Sequence, residues 1–126
     1  MTEEKELVDS RDNGFIQTYY NNLHLLYVLN GSEFRLVFSM LKKMRYGANI
    51  YNVVNMTSDV RRTVSKEIGV STKYLSNLLG TLVVKRVIVR IGVSEYIFNP
   101  YIFWRGSLGR RQESINIWNR WSKSNT

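Results

Sequence analysis

Ile68-Gly69-Val70-Ser71-Thr72-Lys73-Tyr74-Leu75-Ser76-Asn77-Leu78-Leu79-Gly80-Thr81-Leu82 is the stretch on which the reading of this chain turns. Leu75, Leu78, Leu79 and Leu82 fall at i, i+3, i+4 and i+7, which gives a helix one apolar face. Ser71, just ahead of that face, suits an N-cap. Upstream, Thr57-Ser58-Asp59 sets three capping residue types in succession. A helix starting there puts Val60, Val64 and Ile68 on its inner face and Arg61, Arg62 and Lys66 outside, and Gly69 breaks it. Two helices meeting steeply need a turn of three or four residues, often with glycine where the backbone leaves the first. Val70 is placed to tuck beneath that turn. The face opposite the leucines presents Thr72, Lys73, Ser76 and Asn77, short polar or cationic groups suited to phosphates and base edges. Gly80 leaves a bare spot on the same side.

Outward from this unit toward the C-terminus, Val87–Ile91 and Glu95–Phe98 read as two strands joined by Gly92-Val93-Ser94. A two-stranded ribbon directly after the second helix is a wing. Lys85 and Arg86 stand at its base, Arg90 along it and Ser94 at its tip, where cations and hydroxyls meet phosphate or the minor groove. At the joint between helix and wing a glycine is usual; here it is Arg86, and an arginine at positive φ is strained. Asn99-Pro100 ends the sheet.

Toward the N-terminus, Ile50–Val54 is a short β-prone run. Ahead of it, Ile16, Tyr19, Tyr20, Leu23, Leu26 and Tyr27 recur at helical spacing. Asn30-Gly31 stops that helix and Ser32 caps the next, whose stripe is Phe34, Val37, Phe38, Leu41 and Met44. Gly47 is placed as its C-terminal stop. Near the other end, Ile115, Trp118 and Trp121 form a narrow apolar seam flanked by Arg111, Arg120 and Lys123. That seam can dock on the first helix, pair with a second copy or meet an anionic surface.

The chain has 126 residues, enough for one compact domain, and at 44% hydrophobic residues it has material for a core. Its net charge is +8, unevenly placed. Residues 1–13 carry five acids against two bases and read as a flexible acidic leader, so the other 113 residues carry +11. A body that basic calls for an anionic partner: DNA, RNA or a membrane surface. The longest apolar-rich segment, Val83 to Ile91, is interrupted by three cations and falls short of the ~20 residues of a membrane span. No signal peptide is visible, so the expected setting is soluble and cytoplasmic, with no membrane partner.

Several chemistries lack their residues. There is no cysteine, hence no disulfide or thiolate zinc site. His24 is the only histidine and only five acids follow residue 13, so no metal constellation suggests itself. No glycine-rich loop leads into Lys-Ser/Thr, so an ATPase lacks its phosphate cradle. Any of the eight tyrosines could serve a DNA-nicking reaction only beside a metal site this chain cannot build. The expectation is a protein without cofactor and not an enzyme. The aromatic run Tyr96 to Trp104 could stack unpaired bases, but its alternation with Ile97 and Ile102 favours a core role.

Asn13-Gly14-Phe15 with Tyr19, then Ile68-Gly69-Val70-Ser71 with its leucine-lined helix, then Phe98-Asn99-Pro100 and Trp104-Arg105-Gly106 form an ordered set. In that order and spacing the chain resembles the RepL-type replication proteins of small Gram-positive plasmids, over residues 14 to about 106. The resemblance implies a winged helix-turn-helix initiator that binds plasmid DNA and lets host enzymes copy it, with Thr72, Lys73, Ser76 and Asn77 on the recognition face.

The expected architecture is α+β, mainly helical: a winged helix-turn-helix over 14–106, with extra N-terminal and C-terminal helices and a basic amphipathic extension at 107–126. The candidate DNA-binding residues are Arg61, Arg62, Ser71, Thr72, Lys73, Ser76, Asn77, Lys85, Arg86, Arg90 and Ser94. Expected partners are double-stranded DNA, with a second copy of the chain and host replication proteins as further candidates. A transcriptional regulator on the same fold, and a scaffold or protein-interaction module whose basicity serves solubility, are the competing readings.

Overall fold

The computed structural model describes residues 16–47 and 50–124. The acidic leader and the Asn13-Gly14-Phe15 triplet lie outside the described residues. In chain order the elements are β1 (Gln17–Thr18), a 3-10 helix (Tyr20–Leu26), α1 (Gly31–Leu41), β2 (Arg45–Gly47) and β3 (Ile50–Asn55). They continue through α2 (Ser58–Ile68), α3 (Thr72–Val84), β4 (Ile88–Arg90), β5 (Glu95–Phe98) and β6 (Phe103–Trp104) to a 3-10 turn (Leu108–Arg110) and α4 (Arg111–Ser124).

The fold is α+β. An antiparallel sheet runs in the order β2-β3-β5-β4, and β1 pairs with β6 in a separate ribbon. Because side chains alternate across a strand, the register Val53↔Ile97, Val54↔Tyr96, Ile88↔Phe98 and Val89↔Ile97 sorts the sheet into two faces. Val54, Ile88, Tyr96 and Phe98 face the main core, formed with Leu36 and Met40 of α1, Val64 and Ile68 of α2 and the four leucines of α3. Val53, Val89 and Ile97 face the other way and are covered by Trp118 of α4. The C-terminal seam therefore docks on the back of the sheet. Trp118 is buried there with Ile117 packed beside it, Ile115 is buried as well, and Trp121 keeps 37% of its surface.

The α2–turn–α3 unit followed by the β4–β5 hairpin, with β3 between the hairpin and β2, has the order and pairing of a winged helix. Its turn is built as its residues dictate. Gly69 sits at φ 76°, and the N–H groups of Gly69 and Val70 both donate to Ser65 O, at 2.9 and 3.0 Å. That left-handed turn is open to glycine at little cost. Val70 packs against the core beneath it, and Leu75, Leu78, Leu79 and Leu82 are all buried.

Four local expectations are corrected. Residues 16–27 form no α-helix: β1 pairs with β6, and only Tyr20–Leu26 coils, as a 3-10 helix. With three residues per turn, Leu23, Leu26 and Leu29 align toward the core while Tyr20 and Tyr27 stay about 80% exposed. The cap of α1 is Asn30 rather than Ser32. Asn30 Oδ1 accepts from Glu33 N at 2.9 Å, and Glu33 Oε1 accepts from Asn30 N at 2.7 Å, a reciprocal capping box. The buried stripe differs too: Leu36 and Met40 are buried with Val37, Leu41 and Met44, and Phe38 is 60% exposed, stacked on Phe34. Finally, α1 ends at Leu41 and Gly47 closes strand β2 instead of the helix.

The return from β5 to α4 is held by two buried amides. Asn52, at φ 74° in β3, donates to Phe103 O at 2.8 Å and to Phe98 O at 3.3 Å, and accepts from Arg105 N at 2.9 Å. Asn99 donates to Arg86 O and accepts from Tyr101 N, both at 2.9 Å. Buried polar groups are stabilising only when satisfied in this way. Gly106 ends the return at φ 145°, where an added Cβ would fall 2.6 Å from the Tyr51 ring.

Candidate nucleic-acid interface

Helix α3 starts where Ser71 caps it, its Oγ accepting from Tyr74 N at 3.0 Å. With the leucines buried, the helix period turns Lys73, Asn77, Gly80 and Val84 to the opposite side, flanked by Ser76 and Tyr74. All six are exposed. A Cβ at Gly80 would meet nothing within 4 Å, so another surface can approach the backbone there.

The first turns of α2 and α3 meet in an open cleft of about 420 Å³ lined by Ser58, Arg61, Arg62, Thr72, Lys73 and Ser76. Five of these were singled out by spacing alone, and the structure brings them together. Arg61 is the hinge of the arrangement. Its Nε donates to Met56 O at 3.0 Å and its Nη1 to Ser76 Oγ at 3.3 Å, so its guanidinium ties the start of α2 to the face of α3. Arg61 is thus half-buried rather than turned outward. Arg62 pairs with Asp59 one turn away, and Lys73 has no ion-pair partner among the described residues. Among the described residues no acid lines the cleft, and three cations do, which makes it an anion-attracting surface.

The remaining candidates separate. Arg90 folds back on its own hairpin, Nε donating to Gly92 O at 2.9 Å and Nη2 to Val93 O. It stays exposed and fixes the wing tip, where Val93 is 86% exposed. Ser94 Oγ is turned to Asn55 Oδ1 at 2.7 Å. Lys85 points away from the cleft: its Nζ lies 2.8 and 3.0 Å from the two carboxylate oxygens of Glu33 and 2.9 Å from Val28 O. Burial works against charge on Glu33, yet hydrogen bonds from Lys85 and Asn30 and the Lys85 charge hold its carboxyl below the usual value. Lys85 is therefore a clamp between the end of α3 and the start of α1.

Arg86 is exposed at the helix-to-wing joint, at φ 62°. Its N–H donates to Val83 O at 3.1 Å and that of Val87 to Leu82 O at 3.0 Å, the paired bonds of a Schellman helix end with arginine where glycine is usual. Its side chain borders a separate groove of about 210 Å³ with Val83, Val84, Ile88, Val89, Trp118 and Ser122.

Two residues belong to the face without being marked by the leucine spacing. Ser58 lines the cleft from the first turn of α2, where the run of capping residues was the available signal. Tyr74, 43% exposed, flanks it, and an aromatic within a leucine-rich helix carries no signal of exposure by itself. Among the described residues no three His, Cys, Asp or Glu side chains converge as a metal site would require. No described helix is long and apolar enough to cross a membrane.

A family model, Firmicute plasmid replication protein (RepL), matches residues 2–126. No curated protein and no solved structure matches the chain.

Proposed function

The chain belongs to the RepL family of Firmicute plasmid replication proteins, and from that premise we propose that it binds duplex DNA sequence-specifically to start or control plasmid replication. Helix α3 enters the major groove with its N-terminal turns, and the β4–β5 hairpin rests on the flanking backbone as a wing. The observation that carries this reading is the cleft between α2 and α3. Arg61, Arg62 and Lys73 meet hydroxyls of Ser58, Thr72 and Ser76 there, and no acid among the described residues lines the cleft. Cations and hydroxyls grip phosphate and set the register. Asn77, one turn further on the outward face, is placed to read base edges, since an Asn amide can pair with adenine in two bonds. A second copy on a two-fold site and host replication enzymes are the further partners, because one small winged helix covers few base pairs.

Duplex binding measured across salt concentrations tests this. A phosphate-gripping protein loses affinity log-linearly, with a slope of roughly −0.9 per phosphate contacted. A flat response rules out DNA binding and favours the scaffold reading. Replication is tested separately: a plasmid bearing the selected site must replicate only when the protein is supplied.

A further inference from the structure

On the other flank of the first turn of α2 lies a second open cleft, of about 350 Å³, lined by Lys43, Arg45, Asn55, Thr57 and Val60. It collects side chains from the α1–β2 connection, the start of β2, the end of β3 and the cap and first turn of α2, beside the tip of the β4–β5 hairpin. Its polar atoms have one character. Asn55 Oδ1 is occupied by the Ser94 hydroxyl at 2.7 Å, and its amide Nδ2 has no acceptor among the described residues. Thr57 Oγ1 already accepts from Val60 N at 3.4 Å, which leaves its hydroxyl hydrogen to give. Lys43 is only loosely engaged, 3.9 Å from Glu67, because Lys42 holds that carboxylate at 3.0 Å. Arg45 is exposed. Four donors, two of them cationic, with no carboxylate lining the cleft among the described residues, fit an acceptor-rich anion.

We propose that this cleft is a phosphate subsite for the DNA backbone, with Lys43 and Arg45 as its cations and Asn55 and Thr57 as its neutral donors. It rests on the duplex-binding reading above. The two clefts straddle one helix ~10–12 Å across, so α2 would sit on the backbone beside the groove that α3 enters. The Ser94–Asn55 bond gives the wing tip a share in the site: the hairpin orients the amide that meets the phosphate.

The test compares the full chain with the K43Q/R45Q double variant, using Lys66→Gln as a control for lost charge on the exposed far turn of α2. Each is titrated with its selected duplex across salt concentrations, after melting curves show equal stability. The double variant is expected to lose about one phosphate contact, so its log–log slope becomes shallower by ~0.9. Its binding should be roughly 5–10-fold weaker at 0.1 M salt by the same relation, with unchanged sequence preference, while Lys66→Gln keeps the wild-type slope. An unchanged slope in the double variant, or an equal change in Lys66→Gln, overturns the subsite while leaving duplex binding intact. A wild-type chain that binds no duplex overturns the duplex reading, and the subsite with it.

Discussion

The side-chain amide of Asn99 donates to the backbone carbonyl of Arg86 at 2.9 Å, fastening a left-handed arginine at the joint between α3 and the wing. A left-handed non-glycine residue costs roughly 1–2 kcal/mol, and the paired helix-end bonds and this amide offset that cost. Replacing Arg86 with glycine should relieve the strain, less about 0.5–1 kcal/mol of added chain entropy. The predicted outcome is a melting temperature a few degrees higher, and for Asn99→Ala a loss of about 1–3 kcal/mol. A lower melting temperature in Arg86→Gly would contradict the left-handed geometry.

The Glu33–Lys85 pair sets a pH dependence. The folded carboxyl of Glu33 titrates below its unfolded value, so its contribution is complete above about pH 4.5 and is lost as pH falls through the folded value. Urea melts from pH 7 to pH 3 should show Glu33→Gln less stable at neutral pH, by about 1–3 kcal/mol because the partly buried Lys85 ammonium loses its charged acceptor. The variant's acid limb should be flatter than that of the wild type. Parallel curves would mean that the pair does not form.

Gly106 tolerates no side chain. A Cβ there would lie 2.6 Å from Tyr51 Cδ1 and 2.7 Å from Tyr51 Cγ, on a backbone at φ 145°. At Gly69 the same atom meets nothing within 4 Å, and only the left-handed turn objects. Thermal melts should therefore rank Gly106→Ala as the more destabilising, with Gly69→Ala costing about 1–2 kcal/mol. The reverse order would be inconsistent with the packing of Tyr51.

Trp118 and Trp121 lie one helical turn apart and should behave differently. Trp118 is 5% exposed against the back of the sheet, and Trp118→Ala should cost about 3–5 kcal/mol in denaturant titrations. Trp121 is 37% exposed, and its replacement should cost much less. Equal effects would show that α4 does not rest on the sheet through Trp118.

The helix-turn-helix and the hairpin were legible because local chemistry and tertiary demand agree there. Gly69, Ser71 and the four leucines each permit one local structure, and the fold uses it. The sheet's second cover was legible in principle. Val87-Ile88-Val89 and Tyr96-Ile97-Phe98 do not alternate, which is the mark of strands buried on both faces, and Trp118 supplies the missing layer. Residues 16–27 were misleading because their spacing of three and four suits both an α-helix and a 3-10 helix beginning after a strand. The choice lies in pairing with Phe103 and Trp104, some 85 residues away, which no local pattern carries. Likewise Lys85 reads as a surface cation until Glu33, 52 residues distant, is brought beside it.

Central to the account is that α3 reads bases, and Asn77 on its outward face is the residue to question. Duplexes are selected from a random pool by the wild type and by Asn77→Ala, with nonspecific affinity measured in parallel. The account predicts that Asn77→Ala folds normally, keeps its nonspecific affinity and relaxes its preference at one position of the site, by about 1–3 kcal/mol of discrimination. An unchanged selection profile would contradict the placement of α3 in the major groove.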